Sequence, residues 1–227
     1  MPTGKVAVNL GPFMTAADVF KITFIGKGAH ASEPQAGVDS VVMAGQFISN
    51  AQSIVSRAVD PQQPAVLTIG KVNTVDGRFN VVCEETVLEG TVRTFHNEAR
   101  DKVEAAVAAY ADHIAAMHGG QVEVDYTRLL DAVHNQAQGS ELLGQVVTDL
   151  YGADTLYPSK AIMASEDFGY YSQAGNGLFA VVGCGNAAKA TNYSHHNAHF
   201  DIDEDGLDYG ATLYATYVLA YLNQAKF

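Results

Sequence analysis

Toward the end of the chain, Ser194-His195-His196-Asn197-Ala198-His199-Phe200-Asp201-Ile202-Asp203-Glu204 sets three histidines within five residues and follows them with an acidic run. Imidazole is the commonest metal ligand and the usual proton carrier near neutral pH. One histidine in a polar loop would need no explanation. Three together point to a metal or catalytic site. The carboxylates of Asp203, Glu204 and Asp205 also suit the positive end of a helix that starts there. No second cluster of His, Cys, Asp and Glu with ligand spacing stands upstream.

Other residues able to do chemistry lie apart in sequence. Ser165-Glu166-Asp167-Phe168 puts an acidic pair on an apolar segment. Such carboxylates can bind a proton more tightly or steady a metal's ligands. The spacing favours a plainer reading, Ser165 capping a helix. Gly26-Lys27-Gly28-Ala29-His30-Ala31-Ser32 is a glycine-rich loop after a strand, without the spacing of a phosphate-binding motif. His30 there is either a donor to a developing oxyanion or part of an ordinary turn. Arg93 can fork onto a substrate carboxylate or pair across strands with Glu85 or Glu89. Asn80, between Phe79 and Val81, needs partners if buried. Cys83 and Cys184 have no local partner in motif spacing and read as core residues.

The elements that must position these groups are legible from periodicity. Residues 19–25 form a β-branched and aromatic run that ends at Gly26. Residues 38–57 carry apolar side chains at helical spacing, and Asp60-Pro61 breaks them. Residues 65–72, 79–82 and 85–95 read as strands, 98–118 as a helix stopped by Gly119-Gly120, and 121–128 as an alternating strand. The order β-α-β-β-α-β predicts a two-layer α+β unit, an antiparallel sheet with both helices on one face. Beyond it, 140–151 and 205–224 read as helices, with strand character at 161–165 and 179–182. Residues 1–18 and 129–227 are expected to share a second, α/β domain into which residues 19–128 are inserted. The opening Gly4-Lys5-Val6-Ala7-Val8-Asn9 reads like the interior of a domain.

Composition narrows the classes. The chain has 227 residues and a formal net charge of −12, with its cations scattered singly, which argues against a nucleic-acid footprint. No apolar run approaches a membrane span, so no membrane association is expected. Two distant cysteines make no disulfide framework, and a reducing, cytoplasmic home is expected.

Taken together, several stretches resemble the two-metal amidohydrolases and peptidases that include aminoacylases, hippurate hydrolases and indole-acetyl-amino-acid hydrolases. They are Gly11-Pro12-Phe13-Met14, the His30 loop, Gly37-Val38-Asp39-Ser40, Asn80-Val81-Val82, Gly90-Thr91-Val92-Arg93-Thr94-Phe95, Ser165-Glu166-Asp167-Phe168 and His196-Asn197-Ala198-His199-Phe200-Asp201. They occur in the family's order along nearly the whole chain. Gln35 departs from the pattern, where a His is common, as does Cys83-Glu84, where Pro-Asp is common.

The resemblance implies that residues 19–128 are a lid and dimerisation domain. Residues 1–18 and 129–227 then belong to the metal-binding catalytic domain. It implies metal-dependent hydrolysis of the amide bond of an N-acyl amino acid or small peptide, with two divalent ions (zinc, manganese, cobalt or nickel). His196 would be a metal ligand. His30 would reach the partner subunit's site in a homodimer and polarise the scissile carbonyl, and Asn80 and Arg93 would bind substrate. The family's other ligands and its glutamate general base have no counterpart here, so the chain resembles the C-terminal portion of such an enzyme. A non-catalytic dimerisation module is the rival reading. The roles of His195, His199 and Glu166 stay open.

Overall fold

The structure is a computed structural model that describes residues 1–175 and 177–224. In chain order it contains β1 (Val6–Ala7), β2 (Gly11–Met14), β3 (Ala16–Ile25), β4 (Ala29–His30), α1 (Ser40–Ser53), β5 (Ala65–Thr74), β6 (Val81–Val82), β7 (Glu85–Thr94) and α2 (Asn97–His118). Then come β8 (Gln121–Leu130), β9 (Val133–Asn135), α3 (Ala137–Tyr151), α4 (Phe168–Ala174), β10 (Val181–Val182) and α5 (Asp205–Gln224). The fold is mixed α/β with antiparallel pairing. It divides into two compact units. A sheet unit comprises Met14–Ala132 and Met163–Gly169; a terminal unit comprises Met1–Phe13, Val133–Ile162 and Tyr170–Phe227.

In the sheet unit the order is β5-β7-β3-β8. Side chains alternate across a strand. Phe20, Ile22 and Phe24 of β3 and Leu88 and Val92 of β7 therefore share one face, and they form one buried cluster with Met43 and Phe47 of α1 and Val103 and Val107 of α2. Both helices lie on that face because both apolar stripes enter the same core. Asp39 caps α1, its carboxylate accepting from the N–H groups of Val41 (2.9 Å) and Val42 (3.2 Å). After Ser53 the helix widens into a π turn, Ile54–Ala58, before Pro61. Gly119 ends α2 with φ +71°, the left-handed conformation glycine adopts without cost.

The terminal unit is built on the β1–β10 pair, with Val6 opposite Val182. Val6, Leu142, Leu143, Val146, Val147 and Leu213 fill its core. Asn135, buried, ties three segments together: its side-chain N–H groups donate to the Asn9 and Phe179 carbonyls, and its Oδ1 accepts from the Phe179 N–H. The strand expected at 161–165 does not form. The segment instead makes scattered backbone bonds, the Ile162 N–H to the Phe13 carbonyl (2.8 Å) and the Thr15 N–H to the Ala164 carbonyl (2.8 Å), without forming a named strand.

Candidate functional site

His30 owes its position to a small ladder outside the main sheet. β4 pairs with β6, His30 opposite Val81, and the Ala31 N–H donates to the Asn80 carbonyl at 3.1 Å. Gly26 makes the approach possible, since a side chain there would collide with the Val38 carbonyl. His30 and Asn80 are thus neighbours, and both are exposed. The Ser32 backbone N–H donates to His30 Nδ1 (3.2 Å), and the Ser32 hydroxyl lies 2.7 Å from the same nitrogen. A backbone N–H can only donate, so Nδ1 accepts. The neutral ring then carries its proton on Nε2, which is left as a donor on an exposed loop.

Arg93 lies on the sheet face turned away from the helices, alternating with the buried Val92 and Thr94. It stands opposite Ala17 and Val66, and its guanidinium donates to the Val92 carbonyl at 3.2 Å. The cross-strand pairing with Glu89 is not made: Glu89 pairs with Lys71 at 2.8 Å. At about 3.4 Å per residue, the strand from Glu85 to Arg93 is roughly 27 Å long. Glu85 follows β6 closely, so one copy of the unit does not bring Arg93 to His30 and Asn80.

His196 belongs to the terminal unit. Residues 194–197 form a tight turn, with the Asn197 N–H on the Ser194 carbonyl (3.2 Å), and His196 sits in it at φ +63°. The left-handed conformation is uncommon outside glycine and marks residues held by their surroundings. Further along, Asp203 fixes the approach to α5. Its carboxylate, nearly inaccessible, accepts from Thr3 Oγ1 (3.0 Å), Asn186 Nδ2 (2.7 Å) and Lys189 Nζ (2.5 Å), and its N–H donates to the Cys184 carbonyl. The bond from Lys189, helped by Asn186, holds the Asp203 carboxyl well below the usual carboxylate range.

The three histidines do not converge on one point. All three are exposed; His195 meets Phe200 edge to face at 5.0 Å and His199 lies 5.6 Å from Tyr193. Among the described residues no group of three or more His, Cys, Asp and Glu side chains is placed to hold a metal ion. The acidic pair caps α4, but through Glu166 rather than Ser165. The Glu166 carboxylate accepts from the Asp167 N–H (3.0 Å) and from the Phe168 N–H, while the Ser165 hydroxyl turns to Thr15 Oγ1 (3.2 Å). A hydrogen bond shared with Asp167, together with partial burial, raises the Glu166 pKa.

One charged network went unforeseen. Arg100, 2% exposed, binds Asp18, 1% exposed, through Nε (3.0 Å) and Nη2 (2.5 Å). Arg100 also holds Asp131 (2.7 Å) and the Leu130 carbonyl (3.1 Å), and the Tyr126 hydroxyl donates to Asp18 at 2.8 Å. Burial works against the charge on Arg100, but the bonds to Asp18 and Asp131 outweigh it and raise its pKa. Burial, then the Asp18 charge, pushes the Tyr126 hydroxyl up. The signals were available: Asp18 interrupts an apolar strand, and Arg100 lies three residues before Val103 on the core stripe of α2.

The sequence model of a peptidase dimerisation domain, M20_dimer, matches residues 17–118, inside the sheet unit. YhaA of Bacillus subtilis, an amidohydrolase by name, is 34% identical over 97% of this chain and 55% of its own length. The N-acetylcysteine deacetylase of the same organism is 33% identical over 100% of this chain and 57% of its own. Among solved structures, the YXEP protein of Bacillus subtilis, described as a dinuclear metal-binding peptidase of the M20 family, superposes with a TM-score of 0.80 at 27% identity, over 99% of this chain and 55% of that one. The chain spans about half the length of the relatives it matches. The dimerisation-domain match over residues 17–118, the two relatives aligned almost end to end with this chain and the shared fold agree, and this chain is similar to the dimerisation domain and adjoining segments of M20-family peptidases.

Proposed function

We propose that this chain is part of a metal-dependent hydrolase that cleaves the amide bond of N-acyl amino acids or small peptides. The observation that carries the reading is the His30 tautomer. An exposed Nε2–H donor, fixed by the Ser32 N–H and set beside Asn80, suits a carbonyl oxygen that gains negative charge during hydrolysis. Arg93 holds the carboxylate of the amino acid. The likeness to a deacetylase of an N-acyl amino acid supports the substrate class.

The described residues do not make a metal site by themselves, because such sites need about three or more protein ligands and His196 stands alone. In this reading His196 contributes one imidazole to a site completed by further polypeptide. Zinc, manganese, cobalt and nickel all accept that donor. The terminal unit supports the idea of completion. Leu207, Tyr214, Val218 and Leu222 recur along one stripe of α5 and all are exposed.

The protein works as a homodimer through the sheet unit. His30 and Arg93 of one copy lie too far apart along β7 to hold one small substrate, so His30 and Asn80 of one subunit serve the site that contains Arg93 of the other. Its home is the cytoplasm, in keeping with two free cysteines. No helix among the described residues is long and apolar enough to cross a membrane.

The test mixes two inactive variants of the complete protein, His30→Ala and Arg93→Ala, assayed on N-acetyl amino acids. Each alone should lose about 10²–10³ in kcat/KM, the range for a lost oxyanion donor. Mixed dimers then contain one intact site, and activity returns. No recovery on mixing, with subunit exchange confirmed, would refute the trans arrangement. Full activity of His30→Ala would refute its catalytic role.

The rival reading is a non-catalytic dimerisation module, in keeping with the lack of a ligand set among the described residues. Metal content decides: a complete protein that binds no divalent ion and cleaves no N-acyl amino acid is a module.

A further inference from the structure

The connection between β5 and β6 carries a large side chain that the fold does not use. Phe79 is fully exposed and belongs to neither buried cluster. The loop is tied rather than loose: the Val75 N–H donates to the Glu85 carbonyl (3.0 Å) and the Val81 N–H to the Arg78 carbonyl (3.2 Å). Single exposed apolar residues are common and need no account. Phe79 differs in its place. It directly precedes Asn80, whose carbonyl accepts the Ala31 N–H, and the β4–β6 pairing sets His30 opposite Val81. A ring, an amide and an imidazole donor are therefore gathered at one end of the sheet unit. Arg78, exposed and in no ion pair among the described residues, adds a cation in a chain of net charge −12.

That combination matches a particular ligand chemistry. Imidazole and amide suit a carbonyl, and the ring suits an apolar tail next to it. We propose that Phe79 is a specificity-determining residue whose ring packs against a bulky apolar acyl group of the substrate. The inference rests on the proposed amide hydrolysis and adds the side of the substrate that this chain selects. Size separates a small ligand from a protein partner. One phenyl ring buries on the order of 150–250 Å². A stable protein interface needs about 800 Å² from each partner, whereas here Phe79 and the smaller exposed Val75 and Val81 stand among Asp76, Gly77, Arg78 and Asn80, which are polar or lack a side chain.

The experiment compares kcat/KM of the complete protein on N-acetyl and N-benzoyl derivatives of one amino acid, for wild type, Phe79→Ala and Phe79→Tyr. The ring is fully exposed, so neither substitution removes a core contact. Phe79→Ala should lower the benzoyl-to-acetyl ratio about tenfold, within the range for an altered apolar pocket, and Phe79→Tyr should keep it. An unchanged ratio in Phe79→Ala overturns the inference. So does an equal loss on both substrates accompanied by dissociation in sedimentation, which would assign the ring to self-association. A wild type that cleaves neither substrate overturns the proposed function itself, and this inference with it.

Discussion

Removing Asp18 should unfold the sheet unit more readily than any surface change. Asp18 and Arg100 are 1% and 2% exposed, and Asp18 accepts from both Nε and Nη2 of Arg100 and from the Tyr126 hydroxyl. In Asp18→Ala the guanidinium stays buried and keeps only Asp131 and the Leu130 carbonyl as partners, and Tyr126 loses its acceptor. Breaking one half of a buried pair costs about 3–5 kcal/mol, because the remaining buried charge loses most of its compensation. Replacing both partners by apolar residues of similar volume removes that penalty. Asp18→Leu with Arg100→Met should therefore be more stable than Asp18→Ala alone, although Asp131 then loses its partner and some loss persists. Denaturant unfolding followed by circular dichroism gives the three free energies. At roughly 4 °C per kcal/mol, the single variant should melt ~12–20 °C below wild type. A loss under about 1 kcal/mol in Asp18→Ala, a value typical of exposed ion pairs, would refute the claim that this network holds the unit together.

Two predictions concern pH. The Tyr126 pKa is raised in the folded protein, so its contribution to stability is fully present below the unfolded value near 10 and is lost as pH rises beyond it. Tyr126→Phe should flatten that alkaline decline, and melting curves between pH 8 and 11, taken as approximate bounds around the tyrosine value, measure it. Asp203 is the opposite case. Its folded pKa is lowered, so its contribution is present above the unfolded value of about 3.9 and is lost as pH falls. The acid-side decline in stability should be blunted in Asp203→Asn, measured by melting curves between about pH 2 and 5 around the aspartate value.

The sheet unit was legible because each of its elements repeats one signal. β7 alternates Leu88, Gly90, Val92 and Thr94 inward, and α2 repeats Val103, Val107 and Ala111 on one side. Periodicity of this kind is what burial imposes on a chain. The two-residue strands β4 and β6 are too short to show a period. The pairing that joins His30 to Asn80 was therefore invisible, although both residues were singled out. The strand expected at 161–165 failed for a related reason: its side chains suit a strand, but its backbone bonds are the scattered ones from the Ile162 N–H to the Phe13 carbonyl and from the Thr15 N–H to the Ala164 carbonyl. The histidine cluster misled through proximity. Residues three or four apart converge on a helix face, but a tight turn splays them, and here two of the three rings went to aromatic neighbours. The Arg100 network was hidden by a habit of treating charge as surface, which long buried side chains with paired carboxylates violate.

The mounting of the two candidate groups explains how exposed side chains can hold position. A catalytic group must be kept within a fraction of an ångström of its working place by neighbours that do not move. His30 cannot be held by burial, since it is exposed. Its ring is instead fixed at Nδ1 by the Ser32 N–H, and its backbone by pairing with β6, which runs on through Cys83-Glu84 into β7, a central strand of the sheet. His196 is exposed as well; its turn is closed by the Asn197 N–H on the Ser194 carbonyl, and further along the chain Asp203 gathers Thr3, Asn186 and Lys189 just before α5. In both cases an exposed imidazole stands on a backbone that is itself hydrogen-bonded. Such an arrangement is of little use to a protein that only pairs with itself. It suits one that presents donors to a ligand, and the exposed Phe79 beside Asn80 extends the same logic from chemistry to selection.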